Sequence, residues 1–190
     1  LVPSSVAWPA GTNYNGGITY DCAAGVFKEE VNDYDISALG PKYIDGVGWN
    51  GTGFPSFQAM TFVDNSTPRP QVFCDVDRGP DHRGTDAYNL EWSKMLTALD
   101  AYLVSKGWAG KAYYYVQNEP QGPADYATAA YLATLTRAAA PNLRLAISEE
   151  PRPEIAEHPE ILTITVQRLG DEALQQPPLY RTLGRLLAGA

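Results

Sequence analysis

The chain has 190 residues and a formal net charge of −8, with 44% hydrophobic and 11% aromatic residues. That length fits one domain or a piece of a larger one, and that composition can build a real core, which excludes global disorder. The acidic balance argues against nucleic acid or an anionic membrane as partner, and no apolar run approaches a membrane span.

Residues 1–40 are rich in Gly, Asn, Tyr, Pro and Ser and read as an irregular segment with short strands, the clearest near Val26–Val31. Leu1 stands first and no signal pattern follows, which fits a processed product or an excised piece, with a secreted or periplasmic location favoured. Three strand candidates come next, KYIDGVGW from Lys42, QAMTFV from Gln58 and QVFCDV from Gln71, separated by Gly-, Asn- and Pro-rich turns. Cys22 and Cys74 could form one disulfide, but two cysteines make no framework, and Cys74 inside an apolar run reads as a buried free thiol.

The pattern then changes. Tyr88, Trp92, Met95, Leu96, Leu99, Tyr102 and Leu103 share one helical face. Thr85 suits the N-cap and Gly107 a left-handed stop. KAYYYVQ follows as a strand, then a helix led by Pro123 and closed before Pro141. LRLAIS and ILTITVQ are further strands, and LYRTLGRLLAGA is a closing helix. Strands alternating with helices predict parallel strands joined by crossovers, an α/β fold.

In parallel α/β folds, ligands gather at the carboxyl ends of the strands. Three predicted strands end there in acidic clusters: Asp75 and Asp77, Asn118-Glu119-Pro120, and Glu149-Glu150-Pro151. Crowded carboxylates repel, which raises the pKa of one of them, as a general acid needs. The prolines restrict Glu119 and Glu150 to extended backbone. Acidic residues at such junctions also serve helix starts, and Arg69, Arg78 and Arg83 read as balancing the charge beside Asp75 and Asp77. Within KAYYYVQNE, Glu119 has the strand parity of Tyr115 and Gln117, while Asn118 has that of Tyr114. Both serve one pocket only if the strand end twists or bulges. His82 and His158 make no trusted metal spacing, no phosphate loop occurs, and no cofactor is expected.

LDAYLVSKGWAGKAYYYVQNEPQGPADY resembles the stretch in barrel glycoside hydrolases where a helix ending in Lys-Gly-Trp precedes a strand ending in Asp-Glu-Pro or Asn-Glu-Pro. With AAAPNLRLAISEEPRPEI and LGPKYIDGVGW, it looks like a bacterial barrel domain related to glycoside hydrolase family one hundred and twenty-three, over about residues 38–160. The resemblance implies a (β/α)8 TIM-barrel-like fold, a glycan substrate and Glu119 as proton donor to the leaving oxygen. Asn118 would orient the substrate, through a 2-hydroxyl in one clan or a 2-acetamido group in the other. That family usually has Asp at the position of Asn118. Glu149, Asp171 and Glu172 are candidates for the second catalytic group, with Glu149 placed first. Tyr115, Gln117, Asp75, Asp77 and Trp49 are expected to contact sugar, Trp49 as a stacking platform. A barrel of this kind typically needs about 250 residues. The chain is therefore expected to be an incomplete barrel, finished by a partner chain or a missing segment. The alternative function is a barrel-derived carbohydrate-binding or structural module without chemistry.

Overall fold

Two antiparallel hairpins, one before the parallel sheet in the chain and one in its first crossover, accompany a parallel sheet with helices in its crossovers. The structure, a computed structural model, describes residues 18–29, 36–47, 51–61, 69, 71–149, 152–155 and 161–162. The first hairpin pairs β1 (Ile18–Asp21) with β2 (Val26–Glu29). Asp21 closes it by accepting from the backbone N–H groups of Ala23 and Ala24 at 3.0 and 2.9 Å, an Asx turn. These are the short strands expected in the N-terminal segment.

A helix, α1 (Ile36–Tyr43), occupies ground that was expected to begin a strand at Lys42. Gly40-Pro41 reads as a breaker in sequence, yet Pro41 falls late in an eight-residue helix, where it removes little of the ladder. Gly40 has a packing reason. A Cβ there would stand 2.2 Å from the Trp108 ring, so only glycine lets that ring close on the helix.

The parallel sheet has the order β3-β6-β7-β8, built from β3 (Phe57–Thr61), β6 (Ala112–Asn118), β7 (Arg144–Ser148) and β8 (Ile161–Leu162). Every neighbouring pair is parallel, as the strand-helix alternation predicts. The rest of the ILTITVQ run and the closing helix lie outside the described residues. Between β3 and β6 run β4 (Val72–Phe73), β5 (Val76–Asp77) and α2 (Asp86–Ser105); α3 (Pro123–Ala139) joins β6 to β7.

The expected (β/α)8 barrel is overturned. Among the described residues there is no closed barrel, only one parallel sheet of four strands and two antiparallel pairs. Alternating strands and helices suit a barrel and an open sheet equally, so the period alone does not choose between them. The decisive error lies in QVFCDV, which is a tight antiparallel hairpin and not a barrel strand. Val72 pairs with Asp77 and Phe73 with Val76, leaving Cys74 and Asp75 as a two-residue loop. Both loop residues have positive φ, 48° and 63°, as hairpin turns whose twist matches the strands require. The free thiol is overturned as well: Cys74 is bonded to Cys22, 52 residues away.

The core sits between the sheet and α2 and α3. Tyr88, Trp92, Met95, Leu96, Leu99 and Leu103 are buried on α2, on the predicted face, against Tyr114 and Val116 of β6 and Leu132 of α3. Asp100 interrupts that face because it accepts from the backbone N–H and the side-chain amide of Asn142 at 3.1 and 2.9 Å, tying α2 to the turn before β7. An aromatic stack carries the hairpins onto α2: Tyr20 lies 6.0 Å from Phe73, and Phe73 lies 5.0 Å edge-on to Trp92.

Thr85 caps α2 as predicted, its hydroxyl accepting from the Tyr88 N–H at 3.2 Å. Thr85→Ala should cost about 1 kcal/mol of unfolding free energy, read by urea denaturation. A change within error would mean that the backbone N–H is satisfied some other way.

Candidate functional site

The carboxyl ends of β6 and β7 lie side by side, with Asn118 opposite Ser148 in the ladder. Glu119 and Glu149 are the next residues on their chains, so the two acidic tips adjoin as predicted. Neighbouring strands are about 4.8 Å apart, which sets the separation of the two backbones.

Strand β6 does not end as an ideal strand. Its burial alternates regularly from Ala112 to Val116, and then Gln117 is buried as well. The ladder with β7 shifts register between Tyr115 and Gln117. This irregularity brings Tyr115 and Asn118 to one side, although their parity would oppose them. The Tyr115 hydroxyl donates to Asn118 Oδ1 at 2.7 Å. Burial pushes the Tyr115 phenol above its ordinary value, opposed by a hydrogen bond with Ser148 and aided by the charge of Glu119. Tyr115, Asn118, Ser148 and Glu119 therefore form one polar group at the sheet tip.

Glu119 is exposed and has φ +46°. The extended backbone expected before Pro120 is overturned, because the left-handed region is imposed from outside. The Glu119 N–H donates to the Ser148 carbonyl at 2.9 Å, and Gln121 Nε2 donates to the Glu119 carbonyl at 2.8 Å. The Gln121 N–H is held in turn by Asp125 Oδ2 in the first turn of α3, at 2.9 Å. A left-handed non-glycine residue costs about 1–2 kcal/mol, so this tip stores strain.

Glu149 has different surroundings. Its side chain is only 9% exposed and lies 3.4 Å from Arg152 Nε. The Arg152 guanidinium also stands 5.2 Å over the Tyr126 ring of α3. Sequence reasoning missed Ser148, Arg152 and Tyr126. The spacing of Arg152, three residues after Glu149, was the available signal for one of them.

The remaining expected residues divide. Gln117 is buried beneath the tip. Asp75 and Asp77 are exposed, but they belong to the hairpin of β4 and β5 rather than to the parallel sheet, so the crowding expected of three tips reduces to Glu119 and Glu149. Trp49, Glu150, Asp171 and Glu172 lie outside the described residues. The arginines do not balance the hairpin as expected. Arg83 pairs with Asp81 at 2.8 Å, and their hydrogen bonds hold the Asp81 carboxyl at about 2, while Arg69 and Arg78 turn inward and are buried.

A cleft of about 620 Å3 lies elsewhere, between the turn of the first hairpin and the outer face of α2, lined by Tyr20, Cys22, Leu90, Lys94 and Thr97 among others. Among the described residues, no three His, Cys, Asp or Glu side chains are grouped to hold a metal ion, and no helix is long and apolar enough to cross a membrane. No protein-family model matches the chain, and no curated protein matches it significantly.

Proposed function

We propose that the protein is a glycoside hydrolase with Glu119 as general acid/base, Glu149 as the second carboxyl group and the Tyr115–Asn118 pair as the element that orients the sugar. The observation that carries this reading is Glu119 itself: an exposed carboxylate at a parallel sheet tip, held in a costly left-handed backbone. Strain of that kind persists where the surrounding structure over-determines it, and it clusters at functional sites.

Two carboxyl groups of unlike surroundings are what glycoside hydrolysis uses. Glu119 is open to solvent, so it can pass a proton to the glycosidic oxygen and recover one from water. The bond from the anomeric carbon to that oxygen breaks with its electron pair leaving on the oxygen. Glu149, nearly enclosed beside Arg152, faces the positive charge that develops on the sugar. Water then completes the sugar, by a direct or a two-step route. Carboxyl groups about 5–9.5 Å apart serve one route or the other, and adjoining strand tips are on that scale. In the Tyr115–Asn118 pair the hydroxyl donates to Oδ1 and fixes the plane of the amide, the group that orients a sugar hydroxyl or acetamido oxygen in this reading.

A screen of chromogenic glycosides, N-acetylgalactosaminides included, tests this reading. Release of chromophore above the buffer rate from at least one substrate is expected; silence across the panel would count against it. A specific observation supports a second reading, a carbohydrate-binding module without chemistry: the 620 Å3 cleft lies beside α2 and not at the strand tips.

A further inference from the structure

Arg69 has no exposed surface and Arg78 only 3%. Arg69 is well held on most sides. Its guanidinium stands 4.9 Å over the Tyr88 ring and 5.9 Å over that of Trp92. Nη1 donates to Asn89 Oδ1 at 2.7 Å, and Nη2 donates to the His82 carbonyl at 3.0 Å. Nε has no acceptor.

Arg78 has far less. Its Nε and Nη1 are buried without an acceptor, and so is the Tyr114 hydroxyl on β6. Among the described residues no carboxylate pairs with either guanidinium. The two charges also act on each other. Burial, above all, lowers the pKa of Arg69, and Arg78 adds to that.

A buried charge is normally paired, because burial removes the water that stabilised it. Lysine can escape by shedding its proton, but arginine cannot at neutral pH. Two buried arginines in mutual reach, with three N–H directions open, therefore lack a negative charge. A guanidinium fork matches the two oxygens of a carboxylate, sulfate or phosphate.

We propose that Arg78, with Arg69 as the second positive charge, binds a small free oxyanion between the β4–β5 hairpin and the start of α2. The loop before α2 closes tightly: a Cβ on Gly84, whose φ is +82°, would stand 2.8 Å from Arg69 Nη2 and 2.9 Å from Asn89 Oδ1. The ion would join the hairpin, the loop and the helix where their own side chains leave charge uncompensated. This site is independent of the strand tips and of their proposed chemistry.

Melting temperature is measured for the full chain while sodium sulfate is raised through the millimolar range, with sodium chloride holding ionic strength constant. A saturable rise of about 5 °C is expected, as for a ligand near a hundred times its dissociation constant. Arg78→Met should lose that rise and, without sulfate, melt at or above the wild-type temperature, because an uncompensated charge has been removed. Arg78→Lys, which keeps the charge and loses the fork, should need at least about tenfold more sulfate for half the effect. A linear rise shared by wild type and Arg78→Met would be general salt exclusion and would overturn the site. So would a flat wild-type titration. A much lower melting temperature for Arg78→Met without sulfate would show that a carboxylate of the chain fills the place.

Discussion

Glu119→Gln should lower glycoside hydrolysis at least about 100-fold while leaving the fold and its melting temperature unchanged. Loss of a positioned general acid typically costs about 100- to 10,000-fold. The amide keeps the size and can still hydrogen-bond a sugar, so KM should change less than kcat. The fold should be indifferent, because the side chain is exposed and residue 119 is held by its backbone, between the Ser148 carbonyl and Gln121. Glu119→Gly separates strain from chemistry. It should raise unfolding free energy by about 1 kcal/mol, since glycine occupies φ +46° without penalty, and abolish turnover. Full activity in Glu119→Gln would end the assignment; a destabilised Glu119→Gly would end the claim of strain.

Removing the disulfide should be the largest single loss of stability. Cys22 and Cys74 lie in the turns of two different hairpins and are separated by 52 residues. A cross-link of that span removes about 4 kcal/mol of chain entropy from the unfolded state. Without it, the hairpins still have the Tyr20–Phe73–Trp92 stack and their packing on α2. The double variant Cys22→Ser, Cys74→Ser should lose about 4 kcal/mol in denaturant unfolding, and reduction of the wild type should match it. A loss below about 1 kcal/mol would show that the aromatic stack alone sets the hairpin arrangement. The bond also suits an oxidising compartment, where such links persist.

The helix of Trp92 and Leu99, the strands around Tyr114 and Leu145, and their parallel order could all be read from periodicity and caps. So could the shared end of β6 and β7, which carries Glu119 and Glu149, since it follows from parallel direction. The barrel could not, because closure depends on how many strands join one sheet. That number turned on Cys74 and Asp75, where an apolar run hid a two-residue turn. Aspartate at such a point was the missed signal, as it tolerates the left-handed region and breaks strands. The bulge in β6 was stated as a condition and then found, but its partners were not legible. Asn118 reaches Tyr115, and Glu149 reaches Arg152, through side-chain geometry that a strand's two-residue period does not contain. The inward turn of Arg69 and Arg78 ran against the usual exposure of arginine.

The site is tested most directly by a crystal structure of Glu119→Gln with an oligosaccharide that the wild type cleaves. The glycosidic oxygen should lie about 3 Å from the residue 119 side chain, with a sugar substituent on Asn118. A saccharide seated in the cleft between the first hairpin and α2, with the tips of β6 and β7 untouched, would contradict it.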